Sequence, residues 1–510
     1  MSIQLSVENE LPIIVGASRI IATIAIYFIA FIFVLDYTIV NVAIPYISGG
    51  LASSLDEGTY AITFFSAGNG IFIPMTGWLS KRFGLIRTLF IAAILFTFLS
   101  WACSTSTSIF ELVVFRFLQG ASAGPLIPIS QTLLANMYSK KMIISVMAIY
   151  SMIIMVAPVL GPIVGGYFCV YLDWRWIFYI NIPIGLICAI VIFITLKHLN
   201  KNDCRIKFDW ISFILLLIGM TSLQLFFDKG EQWDWFGSNK IIICFILMVF
   251  SFCYLITWSL ICNKPLFELR LLKIKNFAIA TILIFFLYSL YIGGVVIVPL
   301  WLQEYLGYNA FSAGMAVAPI GIFSILFGIF VGKIVKRIGF MLPMIIGLIF
   351  ISLSSIYATY FNTQVNMYSI GMSRFILGIG MSFIIIPLIN MPINVLPNKS
   401  LSSGLGIFHF IRVISGGIGT SVYVTLFNRR IIQQHSNIIG NINNFNEQSV
   451  EFMNNIKTLG FKTDNAISLL DQIVEQQASA IAFNEINCIM SYIAIALCVL
   501  VLFSNKKAVS

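Results

Sequence analysis

Gly77-Trp78-Leu79-Ser80-Lys81-Arg82-Phe83-Gly84 returns 255 residues later as Gly332-Lys333-Ile334-Val335-Lys336-Arg337-Ile338-Gly339. Each copy closes an apolar run with a pair of cations and a glycine. A second pair of strings keeps nearly the same register: Arg116-Phe117-Leu118-Gln119-Gly120 and Arg374-Phe375-Ile376-Leu377-Gly378, 258 residues apart. Two motifs at one offset indicate a chain built from two similar units.

Composition identifies the solvent those units meet. Of 510 residues, 59% are hydrophobic and 10% charged, and the mean hydropathy is +0.97; ordinary soluble domains carry about 25% charged residues. Apolar windows of about 20 residues predict fourteen spans. These lie near 20–45, 58–80, 87–104, 109–137, 142–169, 176–196, 210–227, 240–262, 276–303, 311–335, 340–361, 366–396, 401–428 and 482–504. The first is too long for a signal peptide, and nothing before Arg19 is basic. With the N-terminus inside, inner segments hold 20 of the Lys and Arg residues and outer segments 7. That excess sets orientation, with both termini cytoplasmic. It also accounts for the net charge of +10 without a nucleic-acid partner.

The chain is therefore expected to be an all-α integral membrane protein of two pseudo-symmetric six-helix bundles. Residues 1–199 form the first bundle and 200–272 supply two inserted helices. Residues 273–510 form the second bundle, with an outer loop at 430–481. Parallel halves about an axis along the membrane normal are a transporter construction, with the substrate site at their interface.

Asp36, in Leu35-Asp36-Tyr37-Thr38-Ile39-Val40-Asn41, is the one carboxylate deep within a span. An intramembrane acid is costly and marks a functional site. It lies ten residues before Tyr46, about 15 Å from the outer edge at 1.5 Å per residue. Arg116, eight residues into span four, lies at about 12 Å. Burial favours a neutral acid and a nearby guanidinium favours a carboxylate. A pair balanced between those effects suits proton coupling, and protonation and cargo binding at Asp36 are expected to exclude each other.

Further strings carry a family resemblance: Gly77–Gly84, Arg116–Gly120, and Ala157-Pro158 followed by Gly161-Pro162-Ile163-Val164-Gly165-Gly166. So do Asp173-Trp174-Arg175-Trp176 running to Pro183-Ile184-Gly185, Leu302-Gln303-Glu304-Tyr305-Leu306-Gly307, and Phe408-His409-Phe410-Ile411-Arg412. Across essentially its whole length the chain resembles the major facilitator superfamily, in its fourteen-span drug:proton antiporter branch. The resemblance implies a proton-coupled exporter of hydrophobic, drug-like molecules in the bacterial inner membrane. It implies no cofactor beyond the proton motive force. It also implies a periplasmic membrane-fusion adaptor and an outer-membrane channel as partners.

The resemblance assigns roles as well. Asp36 and Arg116 line the central cavity. Pro158, Gly161, Pro162, Gly165 and Gly166 are the antiporter motif, sealing against the other half; small residues permit close helix approach and prolines bend the helix. Gly77, Lys81, Arg82, Gly84 and Arg87 form a conformational loop, in which Gly84 permits a tight turn. Ser80 stands where the family has an Asp, so an acid–arginine latch at that position is not expected.

A cavity for varied apolar cargo needs aromatic surface with few fixed polar groups. Candidates within the spans are Asn41, Gln119, Tyr288, Tyr291, Gln303, Glu304, Arg374, Asn390 and Arg412, together with Asn69, Gln131, Asn181 and Asn394. Buried arginines need partners, and the second half offers no deep acid to Arg374 or Arg412, which read as structural. In the outer loop, Val450, Met453, Ile456 and Leu459, then Ile467, Leu470, Val474 and Ile481, follow helical spacing. They predict two amphipathic helices lying on the outer membrane face or on the protein; with the 228–240 loop, this loop either meets the adaptor that the resemblance implies or covers the cavity mouth.

Other chemistries lack their residues. The nine cysteines lie mostly in spans and none in 430–481, so that loop has no disulfide framework. The three histidines are scattered, with no metal-site spacing. Gly416-Gly417-Ile418-Gly419 follows no strand and is not a phosphate loop. No clustered catalytic set speaks for an enzyme. The alternative to export is a proton symporter or facilitator for a specific metabolite, which the complete antiporter motif disfavours.

Overall fold

The structure, a computed structural model, describes residues 16–199, 207–262, 265–440, 442, 451 and 463–503. The first half comprises α1 (Ala17–Gly50), α2 (Leu55–Phe72), α3 (Thr76–Phe83), α4 (Leu85–Thr105), α5 (Ile109–Ala123), α6 (Leu126–Met137), α7 (Lys140–Tyr171), α8 (Trp176–Tyr179) and α9 (Asn181–Leu196). Two helices follow, α10 (Trp210–Lys229) and α11 (Asn239–Ile261). The second half comprises α12 (Lys275–Glu304), α13 (Ala310–Val317), α14 (Pro319–Ile338), α15 (Met341–Ala358), α16 (Met367–Val395), α17 (Leu401–Ile439) and α18 (Thr463–Leu502). No strand occurs among the described residues. Helices satisfy their own backbone groups, which lipid cannot do.

Among the described residues, thirteen helical stretches are long and apolar enough to cross a membrane. The expected second span is not among them. Its helix α2 begins in a polar capping box, Ser54 Oγ accepting from Glu57 N at 3.2 Å and Glu57 Oε2 accepting from Ser54 N at 3.0 Å. It carries Asn69 and stops at Ile73-Pro74-Met75 before α3 resumes. Tertiary packing places it instead: α2 lies against α5, α1 and α10.

The repeat is visible in the backbone. Gly84 and Gly339, which end the two copies of the first motif, share a φ of 83°, a region open chiefly to glycine. Gly84 ends α3 and starts α4, and Gly339 ends α14 one residue before the Phe340 cap of α15. In the first half α1 packs on α7 and α9, and α4 on α5 and α9; in the second, α12 packs on α17, and α15 on α16 and α18.

The halves meet along α7, whose side chains fill glycine notches on α13 and α14. Pro162 lies at Gly314, Val159 at Gly321, Met152 at Gly328 and Ala148 at Gly332. They meet again where α17 crosses α3 and α6. Helix α10 touches both halves: Asp228 accepts from Thr63 Oγ1 of α2 at 2.6 Å, and the Phe227 carbonyl accepts from Ser421 Oγ of α17 at 2.6 Å. Helix α11 packs on α10, and its most apolar window is only 17% buried, so it faces lipid.

The outer loop differs from expectation. Helix α17 runs on to Ile439, and α18 begins at Thr463, so the second expected amphipathic helix is continuous with the last span. The two extensions are joined by Arg430–Glu485 at 3.5 Å, Gln434–Glu485 at 2.7 Å and His435–Asp471 at 2.9 Å. Trp301 of α12 stacks on Phe483 of α18 at 4.4 Å and donates to Ser479 Oγ at 3.1 Å. The first expected helix, around Val450–Leu459, lies outside the described residues apart from position 451.

Candidate functional site

Asp36 meets Arg116 directly, as the depth arithmetic requires. Arg116 Nη1 donates to Asp36 Oδ2 at 2.7 Å, and the pair is 0% and 1% exposed. Asn181 Nδ2 donates to Asp36 Oδ1 at 2.7 Å and Gln119 Nε2 donates to it at 3.3 Å. Arg116 also donates to Gln119 Oε1 at 2.8 Å and to the Ala61 carbonyl at 3.2 Å. Its guanidinium lies 4.0 Å from the Phe65 ring centre, a cation–π contact that desolvation strengthens. Asn181 is held in turn by Ser100 Oγ at 3.0 Å. The carboxylate thus receives charge-assisted bonds from α5 and α9, which fasten α1 to both.

This cluster does not face the cavity, which corrects the expectation that spans one and four line it with Asp36 and Arg116. Asp36 and Arg116 are sealed within the first half. An adjoining face of α1, with Phe33, Val34 and Tyr37, forms the wall of a cavity between the halves. From the second half that cavity receives Tyr288, Tyr291, Phe408, His409 and Arg412. The helix that carries Asp36 lines this cavity, but the acid does not.

Arg412 is a cavity residue rather than a purely structural one. It is 9% exposed, with its guanidinium 5.2 Å from the Tyr288 ring centre. Sequence reasoning passed over His409. Its Nε2 pairs with Gln131 at 2.8 Å, joining α17 to α6 across the interface. The helical spacing of His409 and Arg412, three residues apart and so on one face, is the signal that could have found it. Asp228 was missed because it stands at the last turn of α10.

Several candidates lie elsewhere. Gln303 and Glu304 are exposed at the end of α12, and Gln303 donates to its own Pro299 carbonyl at 3.1 Å. Asn41 is exposed on α1. Asn390 is buried and donates to the Ile386 carbonyl at 2.7 Å, within its own helix. Arg374 is buried beside a separate small cavity.

The antiporter motif divides between two faces of α7. A Cβ on Gly161 would collide with Thr38 Oγ1, and one on Gly165 would lie 2.8 Å from Ile39 Cγ1. These glycines therefore seat α1 within their own half, two and three residues from Asp36, rather than sealing against the other half. It is Pro158, lining the cavity, and Pro162, against Gly314, that face the partner half. Gly166 would meet nothing within 4 Å.

The conformational loop holds a latch of unexpected composition. Gly77 lies directly against Ser403 Oγ of α17. Ser80 Oγ and Ser402 Oγ share a hydrogen bond at 2.8 Å. Lys81 Nζ pairs with Glu268 Oε1 at 2.6 Å, and Ser403 Oγ donates to the same oxygen at 3.0 Å. The acid missing at position 80 is supplied by Glu268, which precedes α12; a loop distant in sequence gave no local signal for it. Arg82 is half-buried and Arg87 exposed.

Among the described residues no group of three or more His, Cys, Asp or Glu side chains is placed to hold a metal.

The sequence profile of the Major Facilitator Superfamily matches residues 26–420. The chain is 36% identical over 491 residues to the Multidrug export protein EmrB of Escherichia coli strain K12, covering 96% of each. It is 35% identical to the Multidrug export protein EmrB of Haemophilus influenzae, covering 94% of each. Among solved structures, the human organic anion transporter MFSD10 superposes with a TM-score of 0.61 at 11% identity, over 95% of this chain and 100% of that one. That likeness is one of fold.

Proposed function

The chain belongs to the Major Facilitator Superfamily, and on that footing we propose that it is a proton-coupled antiporter. It exports hydrophobic small molecules across the bacterial inner membrane by alternating access. The observation that carries this reading is the placement of α1. One face holds the sealed Asp36–Arg116 pair, and an adjoining face forms an aromatic wall of the cavity between the halves.

Proton and cargo then act on one helix through adjoining faces. With Asp36 ionised, Arg116, Gln119 and Asn181 hold α1 against α5 and α9. A proton on Asp36 removes the charge that those donors serve and frees α1 to shift. Cargo against Phe33 and Tyr37 favours one of the two positions. Two ligands that bias the same two-state element are thermodynamically linked and reciprocal. Exchange therefore needs no overlap of their sites. The mostly apolar and aromatic wall suits varied hydrophobic cargo, in keeping with relatives named as multidrug export proteins.

The proton motive force is the energy source, with no further cofactor. The distribution of Lys and Arg supports cytoplasmic termini. The paired extensions of α17 and α18, with the loop between them, are the surface offered to a periplasmic adaptor. Through that adaptor the protein meets an outer-membrane channel.

Proton release on cargo binding by the purified protein tests this reading, with wild type compared to Asp36→Asn. Wild type releases protons when a lipophilic dye is added, and its dye affinity changes with pH by about 5- to 150-fold, the usual range of such coupling. The Asn variant releases none and binds dye independently of pH. An Asp36→Asn protein that still drives dye uptake into inverted vesicles on a proton gradient would defeat the assignment.

A further inference from the structure

The second half buries a cation whose counter-charge the protein does not supply. Arg374 is 2% exposed. Nη2 donates to Ser373 Oγ at 3.0 Å, while Nε has no partner. No charged side chain among the described residues acts on it. Taking an unpaired charge out of water costs several kcal/mol, and a guanidinium has five N–H donors to satisfy.

The repeat shows what is missing. In the first half, Arg116 donates to Asp36 of α1 and Gln119 of α5, and Asn181 of α9 bridges Asp36 to Ser100 of α4. The offset of 255 to 258 residues carries Asp36 to positions 291–294, where Tyr291 and Gly294 stand on α12. It carries Ser100 to Ser355 of α15. The last helix of this half, α18, contributes Asn487, whose Nδ2 donates to the Phe483 carbonyl of its own helix. Tyr291, Gly294, Ser355, Asn487 and Arg374 line one cavity of about 20 Å³. The second half has a serine, an asparagine and the arginine; it lacks the acid, and Leu377 stands in the place of Gln119.

We propose that this cavity binds one small anion, chloride in the cell, which takes the place in the second half that the Asp36 carboxylate holds in the first. Size selects the class. One water needs roughly 10–15 Å³ and a drug-sized ligand roughly 300–1,000 Å³, so the site suits a monatomic ion rather than a phosphate or the carboxylate of a cargo. Arg374 supplies the charge, and the Tyr291 and Ser355 hydroxyls share the lining. The inference does not depend on proton coupling.

Gly294 provides the decisive variant. A Cβ there would lie 3.9 Å from Arg374 Nη1 and 3.9 Å from Met490 Sδ, ordinary contact distances. Gly294→Asp thus places a carboxylate beside the guanidinium, as Asp36 is placed beside Arg116. The experiment measures thermal unfolding of the full chain in lipid nanodiscs, in sodium gluconate, chloride or bromide at one ionic strength. Wild type melts about 1–3 °C higher in chloride or bromide than in gluconate, the shift expected of a weakly bound stabilising ligand. Gly294→Asp loses the halide response and melts in gluconate as high as wild type does in chloride. Arg374→Met loses the response as well; if that variant does not insert, Gly294→Asp decides alone. Equal melting of wild type in gluconate and chloride overturns the proposal, as does a halide response that survives in Gly294→Asp.

Discussion

Arg116 and Arg374 hold equivalent places in the two halves. Four residues after each comes a glycine packed on a neighbouring backbone, Gly120 on the Phe65 carbonyl and Gly378 on the Ile320 carbonyl. The surroundings then diverge. Arg116 has a carboxylate that Asn181 also serves, the Gln119 carboxamide, a backbone carbonyl and an aromatic face. Arg374 has a serine hydroxyl and a small cavity. Duplication kept the helix packing, which depends on small residues at fixed spacing, and let the charges separate. Among the described residues the first half buries an acid beside its arginine and the second half does not.

The largest expected effect breaks this comparison at its centre. Removing one partner of a buried ion pair costs about 3–5 kcal/mol, because the other charge is left uncompensated. Asp36→Ala and Arg116→Met should each fall in that range, and Asp36→Leu with Arg116→Met should recover much of the loss. In gluconate, Arg374→Met should be neutral or stabilising, since it removes a charge with no protein counter-charge. Unfolding measurements on the four variants check this. Equal losses for Arg116→Met and Arg374→Met would mean that the two halves are balanced alike.

A smaller effect separates glycines within one motif. Gly161→Ala drives a methyl into Thr38 of α1, two residues from Asp36; overpacking of this kind costs about 1–3 kcal/mol. Gly166→Ala meets nothing within 4 Å and should gain up to about 1 kcal/mol of helix propensity. Dye efflux should fall in the first variant and be retained in the second. Equal efflux would detach the motif from the seating of α1.

How much of this was legible in the chain follows from what each feature depends on. Asp36 and Arg116 were paired from depth along two helices, because rise per residue is a local property. The face that Asp36 presents was not, since only the packing of α1 against α7 and α9 turns it away from the cavity. Helix α2 was expected as a span, but its polar residues leave it outside the thirteen stretches long and apolar enough to cross; its place comes from neighbours rather than from its own hydropathy. Gln303 and Glu304 looked like cavity residues because polar groups near a span end read alike whether they face inward or outward. Glu268 was invisible for the opposite reason. It stands in a connection between spans, and its role exists only where α3, α17 and that connection converge.

The smallest effect compares the two copies of the loop motif that revealed the repeat. In the first copy, Lys81 reaches Glu268, and the two side chains are 34% and 27% exposed. In the second, Lys336 and Arg337 are exposed on α14. A partly exposed pair contributes about 0.2–1 kcal/mol, too little to matter for folding. It matters for a conformational equilibrium, since the same energy shifts a two-state ratio by about 1.4- to 5-fold. Glu268→Gln should therefore broaden the distance between spin labels placed at positions 87 and 398 toward longer separations. Lys336→Gln should leave it unchanged. If both variants move the distribution equally, general charge at the membrane face governs the equilibrium. If only the first does, the latch is specific to one copy, and the asymmetry seen in the buried arginines extends to the gate that α3 and α17 form.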